Sequence, residues 1–445
     1  MHRFLLLLLP ALVVAQPQPT THTSPLPALR QQAEERQAWT EKRLETVLPA
    51  LMEEFDIDMW ILSMREYGED PVFWSMTAPT TFAARRRSIY VFDKQDDGTV
   101  RRLALGGGSQ GGLYEAYVDP DQSVEGRELW GEGQWYLLNK LVTDADPERI
   151  ALNIDELQAF ADGLGAGERE GLERALGETY TARVVREPRL ATNYISIRIP
   201  EMLPRYRELT ELVHGLLSEA FSSRVITPGV TTTDDVRWWL RQQLNDLGLS
   251  TWFHPSIAVQ REGGTGMLSG VVIERGDLLW SDFGLVGMNM HTDTQHLGYV
   301  LKEGETDVPE GLKAGLRTSN RLQDLLLEEM EPGRTGNEVL MSTLERMRTE
   351  GINGTVYTHP IGDHGHGAGP LIGLWDRQRP IAGRGDLLLR PNTWFSIELQ
   401  ATSQVPEWGG QAVQFRQEEE AYLDASGNRH WVLGRQETFW VVRDD

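Results

Sequence analysis

The chain has 445 residues, of which 40% are aliphatic or aromatic and 24% charged, too long for one ordinary core and apolar enough to fold as two. Its 43 basic and 66 acidic residues leave a formal charge of −23, which repels nucleic acid and anionic membranes. With no cysteine at all, disulfides, thiolate ligands and a cysteine nucleophile are excluded, so any metal must sit on histidine and carboxylate.

The N-terminus reads Met1-His2-Arg3, then a Leu-dominated run from Phe4 to Val14, then small and polar residues and a Pro/Thr-rich stretch to Pro27. This pattern predicts a cleavable secretory signal over 1–15 and a periplasmic or secreted product, with an uncleaved anchor as the alternative. No later segment is apolar for long enough to span a membrane. The spacing of Leu29, Ala33, Ala38, Leu44 and Val47 predicts a helix from Ala28 to Leu48, and apolar runs at Met59–Met64, Ser88–Phe92 and Arg102–Leu105 predict strands. Helix and strand signals alternate to about Val185, so 27–195 is expected to be an α/β domain without a catalytic constellation. Arg85-Arg86-Arg87 is expected on a solvated or domain-docking surface.

The second half, 200–445, carries a duplicated layout. Leu209, Leu212, Val213, Leu216, Leu217 and Ala220 mark a helix face, Pro228-Gly229 a turn, and Val236, Leu240 and Leu244 a second helix stopped by Gly248. The pattern recurs as Leu322, Leu325, Leu326 and Met330, then Pro332-Gly333, then Val339, Leu340, Leu344 and Met347, then Gly351. The Pro-Gly pairs are offset by 104 residues, the stop glycines by 103, and the pairs His254-Pro255 and His359-Pro360 by 105. Two helix-then-strand halves are expected to pack their sheets together with helices outside and a site in the cleft between them.

The chemistry-bearing residues follow these copies. An apolar strand ends in Asp282, and Asp293 follows in the next extended segment, so the two acids are expected to face each other across a hairpin. The stretch Thr358 to Gly369 holds His359, His364 and His366 among glycines, and neutral imidazole suits first-row divalent ions. Glu398 interrupts an apolar run and needs a cation or donors if buried. Glu418 follows in Arg416-Gln417-Glu418-Glu419-Glu420, where Glu419 and Glu420 are expected on a solvated acidic face. Two Asp, one His and two Glu balance two divalent cations, whose chemistry is assisted hydrolysis.

These residues resemble the pita-bread metallopeptidases, the family of aminopeptidase P, prolidase and creatinase. The ligand order there is Asp, a second Asp after ten residues, His in Gly-His-x-x-Gly, Glu in an apolar strand, and Glu in an Arg-x-Glu-acid pattern. Asp282, Asp293, His366 in Gly365-His366-Gly367-Ala368-Gly369, Glu398, and Glu418 match it. His366 is favoured over His364 because only it has the flanking glycines. The likeness spans about Pro204 to Gly427, and the preceding domain resembles the N-terminal domain of the same enzymes. The resemblance implies an α/β chain with a pita-bread catalytic domain, two ions of Mn²⁺, Co²⁺ or Zn²⁺, a homodimer, and a short peptide substrate, with Xaa-Pro preference. Glu398 would be ligand and general base for attack by a bridging hydroxide.

Departures touch substrate handling. The usual Asp-x-Thr-Arg-Thr is Asp293-Thr294-Gln295-His296-Leu297, and no histidine stands upstream of Asp282 near Thr265. The late His-acid pair reads Trp375-Asp376, about two residues further past His366 than usual. His359, His364 and His296 are candidates to replace the missing groups, or are structural. A binding or scaffold protein on the same fold, and a hydrolase of non-peptide amides or esters, remain alternatives to the peptidase.

Overall fold

The computed structural model describes residues 22–118 and 132–443; the expected signal, 1–15, lies outside the described residues. Among the described residues no helix is long and apolar enough to cross a membrane. The first helix, α1 (Leu29–Glu54), runs beyond the expected end with Pro49 inside it. It is followed by β1 (Met59–Arg65), a short α2 (Phe73–Met76), β2 (Arg87–Lys94), β3 (Val100–Leu105), β4 (Glu115–Tyr117), α3 (Glu132–Ala145), β5 (Ile150–Leu152), α4 (Ala166–Thr181), β6 (Val184–Val185) and α5 (Pro188–Ser196). The strands form one mixed sheet in the order β4-β3-β2-β1-β5-β6.

Alternation along β1 explains why helices cover both faces of that sheet. Trp60 and Leu62 pack with Leu48, Met52 and Tyr194 from α1 and α5, whereas Met59 and Ile61 pack with Leu138 and Leu172 from α3 and α4. Arg87 is tied down within this half. It bonds the buried Glu168 at 2.8 Å and lies over the Trp135 ring, while Arg85 and Arg86 are exposed.

The duplicated layout appears as two helix pairs, α6 (Leu203–Ala220) with α7 (Thr233–Asp246), and α8 (Glu310–Glu329) with α9 (Gly336–Thr349). The second helix of each pair starts with a capping box, Thr232 with Asp235 and Thr335 with Glu338, which satisfies otherwise orphaned N–H groups. The stops Gly248 and Gly351 sit at φ of +69° and +68°, a conformation that costs glycine least.

The strands here are β7 (Ser256–Gln260), β8 (Leu278–Phe283), β9 (Val286–Gly287), β10 (Met290–His291), β11 (Thr294–Val300), β12 (Asn353–Val356), β13 (His359–Pro360), β14 (Thr393–Val405), β15 (Gln411–Leu423), β16 (Arg429–Trp431) and β17 (Trp440–Val442). The halves do not pack sheet on sheet as the sequence suggested. They join edge to edge into one nine-stranded sheet, β12-β14-β15-β11-β8-β7, with the seam at Gln295 opposite Glu418. Leu279 and Phe283 face α6 and α7, and Ile397 and Leu399 face α8 and α9, so Asp282 and Glu398, one residue out of phase, face the other way.

The N-terminal half reaches this sheet through Asp363, which is buried with Arg43 of α1 at 3.0 Å, Arg198 at 2.6 Å and the Ser75 hydroxyl at 2.5 Å. Burial alone would raise its pKa, but Arg198 and Arg43 outweigh that and hold it well below the usual carboxylate range. Removing one partner of such a buried network leaves uncompensated charge. Asp363→Ala is therefore expected to cost about 3–5 kcal/mol, measured as a lower urea midpoint; an unchanged midpoint would show that the contact does not hold the halves together.

Candidate metal centre

Sheet register builds the site. Asp282 on β8 pairs with Gln295 on β11, Gln295 with Glu418 on β15, and Glu418 with Glu398 on β14. Four polar side chains thus stand in one row across adjacent strands, on the face away from the helices. Asp293 precedes β11 and joins from the diagonal. It does not stand opposite Asp282 as the hairpin expectation had it, but Asp282, Asp293 and Glu418 still offer oxygens within 4.8 Å of one another.

The imidazole at the centre of these acids is His359. Its strand pairs with Ser396, two residues before Glu398. Its Nδ1 lies 2.9 Å from the Pro360 carbonyl oxygen, which only accepts, so Nδ1 carries the hydrogen and a neutral ring presents a bare Nε2. That Nε2 is 3.4 Å from Glu418, 3.5 Å from Asp293 and 4.0 Å from Glu398. It and Asp293 Oδ1 are both buried without a hydrogen-bond partner. No lysine or arginine among the described residues forms an ion pair with the four acids.

The other expected histidines lie elsewhere. His366 is exposed at the edge of the centre, with its ring perpendicular to that of His359 and 4.8 Å away between centroids. It comes within ligand reach of Asp293 and His359, whereas the group holding Glu398 and Glu418 contains His359 instead. His366 lies seven positions after His359, the spacing the resemblance gives between a ligand histidine and the later His-acid pair. Trp375-Asp376, first matched to that pair, is exposed at the cavity mouth. His364 packs against Phe160 of the N-terminal half, with centroids 5.0 Å apart. The glycines that pointed to His366 admit other groups: a Cβ on Gly365 would lie 2.4 Å from the Trp252 ring, and one on Gly367 2.7 Å from the Pro360 carbonyl oxygen.

His296 is on the opposite face. It hydrogen-bonds Glu419 at 2.9 Å, and the Trp440 indole reaches its Nδ1 at 3.1 Å. An indole N–H only donates, so Nε2 carries the hydrogen of the neutral ring and is engaged by Glu419. His214 of α6 approaches the same carboxylate at 3.2 Å. Glu419 and Glu420 are therefore not a solvated face but are 1% and 2% exposed. Glu420 accepts the Asp293 N–H at 3.0 Å and bears on the backbone of the centre.

Asp282 and Glu398 open onto a cavity of about 860 Å³ also lined by Trp280, Tyr357, Leu374, Trp375, Arg384 and Arg416. Arg416, two residues before Glu418 on the same strand face, was legible by alternation; Gln295 and Arg384 carry no such signal in sequence. Burial, then Glu418, pushes Asp282 up to about 8, and the same two causes raise Glu398 well above the usual range. Burial alone would depress His359, but Glu418 and then Glu398 raise it. Burial, with His359 beside it, brings His366 down to about 4.

Residues 205–418 match the model of metallopeptidase family M24, a segment that ends on the last acid of the row. This segment belongs to family M24. No curated protein sequence matches the chain. Its fold resembles that of the X-Pro aminopeptidase from Thermotoga maritima (TM-score 0.60, 17% identity, 88% of this chain and 99% of that one). The Xaa-Pro dipeptidase from Bacillus anthracis is similar (0.59, 16%, 92% and 100%), and so is the N-terminal domain of FACT complex subunit SPT16 from chickpea (0.55, 8%, 91% and 99%). The whole described chain thus has the pita-bread architecture, and family M24 supports a peptidase hydrolase.

Raised carboxyls mean that the folded chain without ions binds more protons than the unfolded chain between pH about 4 and about 8. Stability of the metal-stripped protein is therefore expected to fall as pH rises through that window. Added Mn²⁺ is expected to raise Tm more at pH 8 than at pH 5, and calorimetry in two buffers to detect proton release. Equal Mn²⁺ stabilisation at both pH values would show that the acids do not hold the ion.

Proposed function

We propose that the protein is an exported, dimeric peptidase that uses two divalent ions, Mn²⁺, Co²⁺ or Zn²⁺, to hydrolyse a bond near the N-terminus of short peptides, with Xaa-Pro substrates as the first class to test. The observation that carries the reading is the bare, buried Nε2 of His359 aimed among acids that have no lysine or arginine ion-pair partner among the described residues. The residues fit such ions, with Asp282, Asp293, His359, Glu398 and Glu418 as holders; His359 takes the place first given to His366. Bound ions there would polarise a peptide carbonyl and lower the pKa of water.

The chain's own groups then divide the remaining work. Glu398 lines the cavity, half-buried like Asp282, and of these two it is the one grouped with His359, so it takes the proton of the attacking water and returns it to the leaving nitrogen. His366, neutral and exposed at the edge, donates a hydrogen bond to the substrate carbonyl. Arg384 lines the cavity with a buried Nε that has no partner, and with Arg416 it offers positive charge to the C-terminal carboxylate of a short peptide. Trp280, Tyr357, Leu374 and Trp375 give side chains an apolar wall. The Leu-rich run behind Arg3 supports export.

Purified protein is expected to hold divalent ions and to hydrolyse an Xaa-Pro peptide. Glu398→Ala is expected to lower kcat by about 10² to 10⁴, and His366→Ala by about 10² with metal retained. His359→Ala is expected to lose metal and activity together. If His359→Ala keeps its ions while His366→Ala loses them, the imidazole roles are reversed. Failure to bind any tested divalent ion and to cleave any short peptide would favour the scaffold reading.

A further inference from the structure

In the N-terminal half, β2 keeps its pairing with β1 down to Arg87, but its pairing with β3 stops at Tyr90 opposite Ala104. The fork left beside Arg87, Ser88 and Ile89 opens as a cavity of about 350 Å³, at the small end of the range for ligand pockets. Gln134 of α3 sits across the fork. Its amide nitrogen donates to the Leu105 carbonyl at 3.0 Å and to the Arg87 carbonyl at 3.3 Å. Carbonyls only accept, so the amide cannot be turned over. Gln134 is 1% exposed, lines the cavity, and its Oε1 has no hydrogen-bond partner. A buried acceptor in that state costs free energy until a donor reaches it.

Arg85, Arg86 and Arg87 line the same cavity. Arg87 is held by the buried Glu168, which also takes Arg65 at 3.1 Å. Arg85 and Arg86 are exposed and form no ion pair among the described residues. The exposed Glu66 lines the adjoining cleft with Arg86 but pairs with neither. In a chain of formal charge −23, two neighbouring guanidiniums without a carboxylate at the rim of a cavity favour a small anion. The remaining wall is apolar, with Ala83, Ala84 and Leu105, and the turn Gly106-Gly107-Gly108 adds no side chain to it.

These requirements meet in one chemistry. The guanidiniums call for a carboxylate, and Gln134 Oε1 for a donor that is not a cation, because the arginines would repel an ammonium. The walls call for an aliphatic side chain. We propose that this cavity is a second binding site, separate from the acid row, for the carboxy-terminal residue of a short peptide. The carboxylate lies on Arg85 and Arg86, the amide N–H on Gln134 Oε1, and the side chain against the apolar wall. The site stands whether or not the chain binds metal.

The test is titration calorimetry of metal-stripped, full-length protein with N-acetyl-leucine, the smallest such peptide end. Wild type is expected to bind it with a Kd of about 1 mM or tighter. N-acetyl-leucinamide, which lacks the carboxylate, and inorganic phosphate, which lacks the amide, are each expected to bind at least about tenfold more weakly. The double variant Arg85→Asn, Arg86→Ser is expected to weaken N-acetyl-leucine at least about tenfold. Both positions are exposed, and asparagine tolerates the left-handed backbone at residue 85, φ +48°, so this variant keeps the fold. Gln134→Leu is expected to weaken the same ligand about fivefold. Unchanged binding in the double arginine variant would place the ligand elsewhere and overturn the proposal. Equal affinity for the amide would overturn it too, and equal affinity for phosphate would leave a plain anion site in its place. Absence of binding up to about 10 mM would overturn it outright. None of these outcomes touches the metal reading, which the Mn²⁺ measurements decide.

Discussion

Four carboxylates on one face of a sheet, largely shielded from water, repel one another. At an effective dielectric of 20, two unit charges 4 Å apart interact by about 4 kcal/mol, so the row cannot be fully ionised without cations or protons. The protein answers its neighbouring acids in other ways. Glu419 receives two imidazoles on the helix face, and Glu420 is held by the Asp293 N–H and the Thr294 hydroxyl. The row is left with the raised carboxyls of Asp282 and Glu398 beside one Gln amide and a bare imidazole nitrogen, a charge pattern that suits ions supplied from outside.

The second constraint is placement of the histidine segment. His359 is fixed by strand pairing and its Pro360 bond, but the chain from Gly362 to His366 leaves the sheet and needs other support. Asp363 supplies it by reaching Arg43, Ser75 and Arg198, while His364 lies on Phe160. Among its described residues the N-terminal half has no such metal-ready group of acids, yet it holds the loop that carries His366 to the cavity edge. This links its packing to the chemistry of the other half.

Much of this was legible in the chain. The helix pairs, their stops and their spacing appear as repeated Leu faces closed by glycines, because capping and positive φ are local requirements. Asp282, Asp293, Glu398 and Glu418 could be named because acids in apolar strands stand out. The local pattern names His366 on its flanking glycines, whereas the structure places His359 among the acids and gives those glycines Trp252 and the Pro360 carbonyl as close neighbours. Glu419 and Glu420 read locally as a solvated run, since three successive acids carry no sign of which strand face each will occupy.

Local composition and periodicity therefore determined the elements, the duplication and the acids available for chemistry. Tertiary structure alone decided which imidazole lies among them, that Gln295 enters the row, and that Arg384 and Arg416 share its cavity. The physical reason is that strand register and crossings between the halves set distances among residues far apart in sequence. A shift of one residue turns every side chain to the other face, and no local pattern around His359, His366 or Gln295 records that choice.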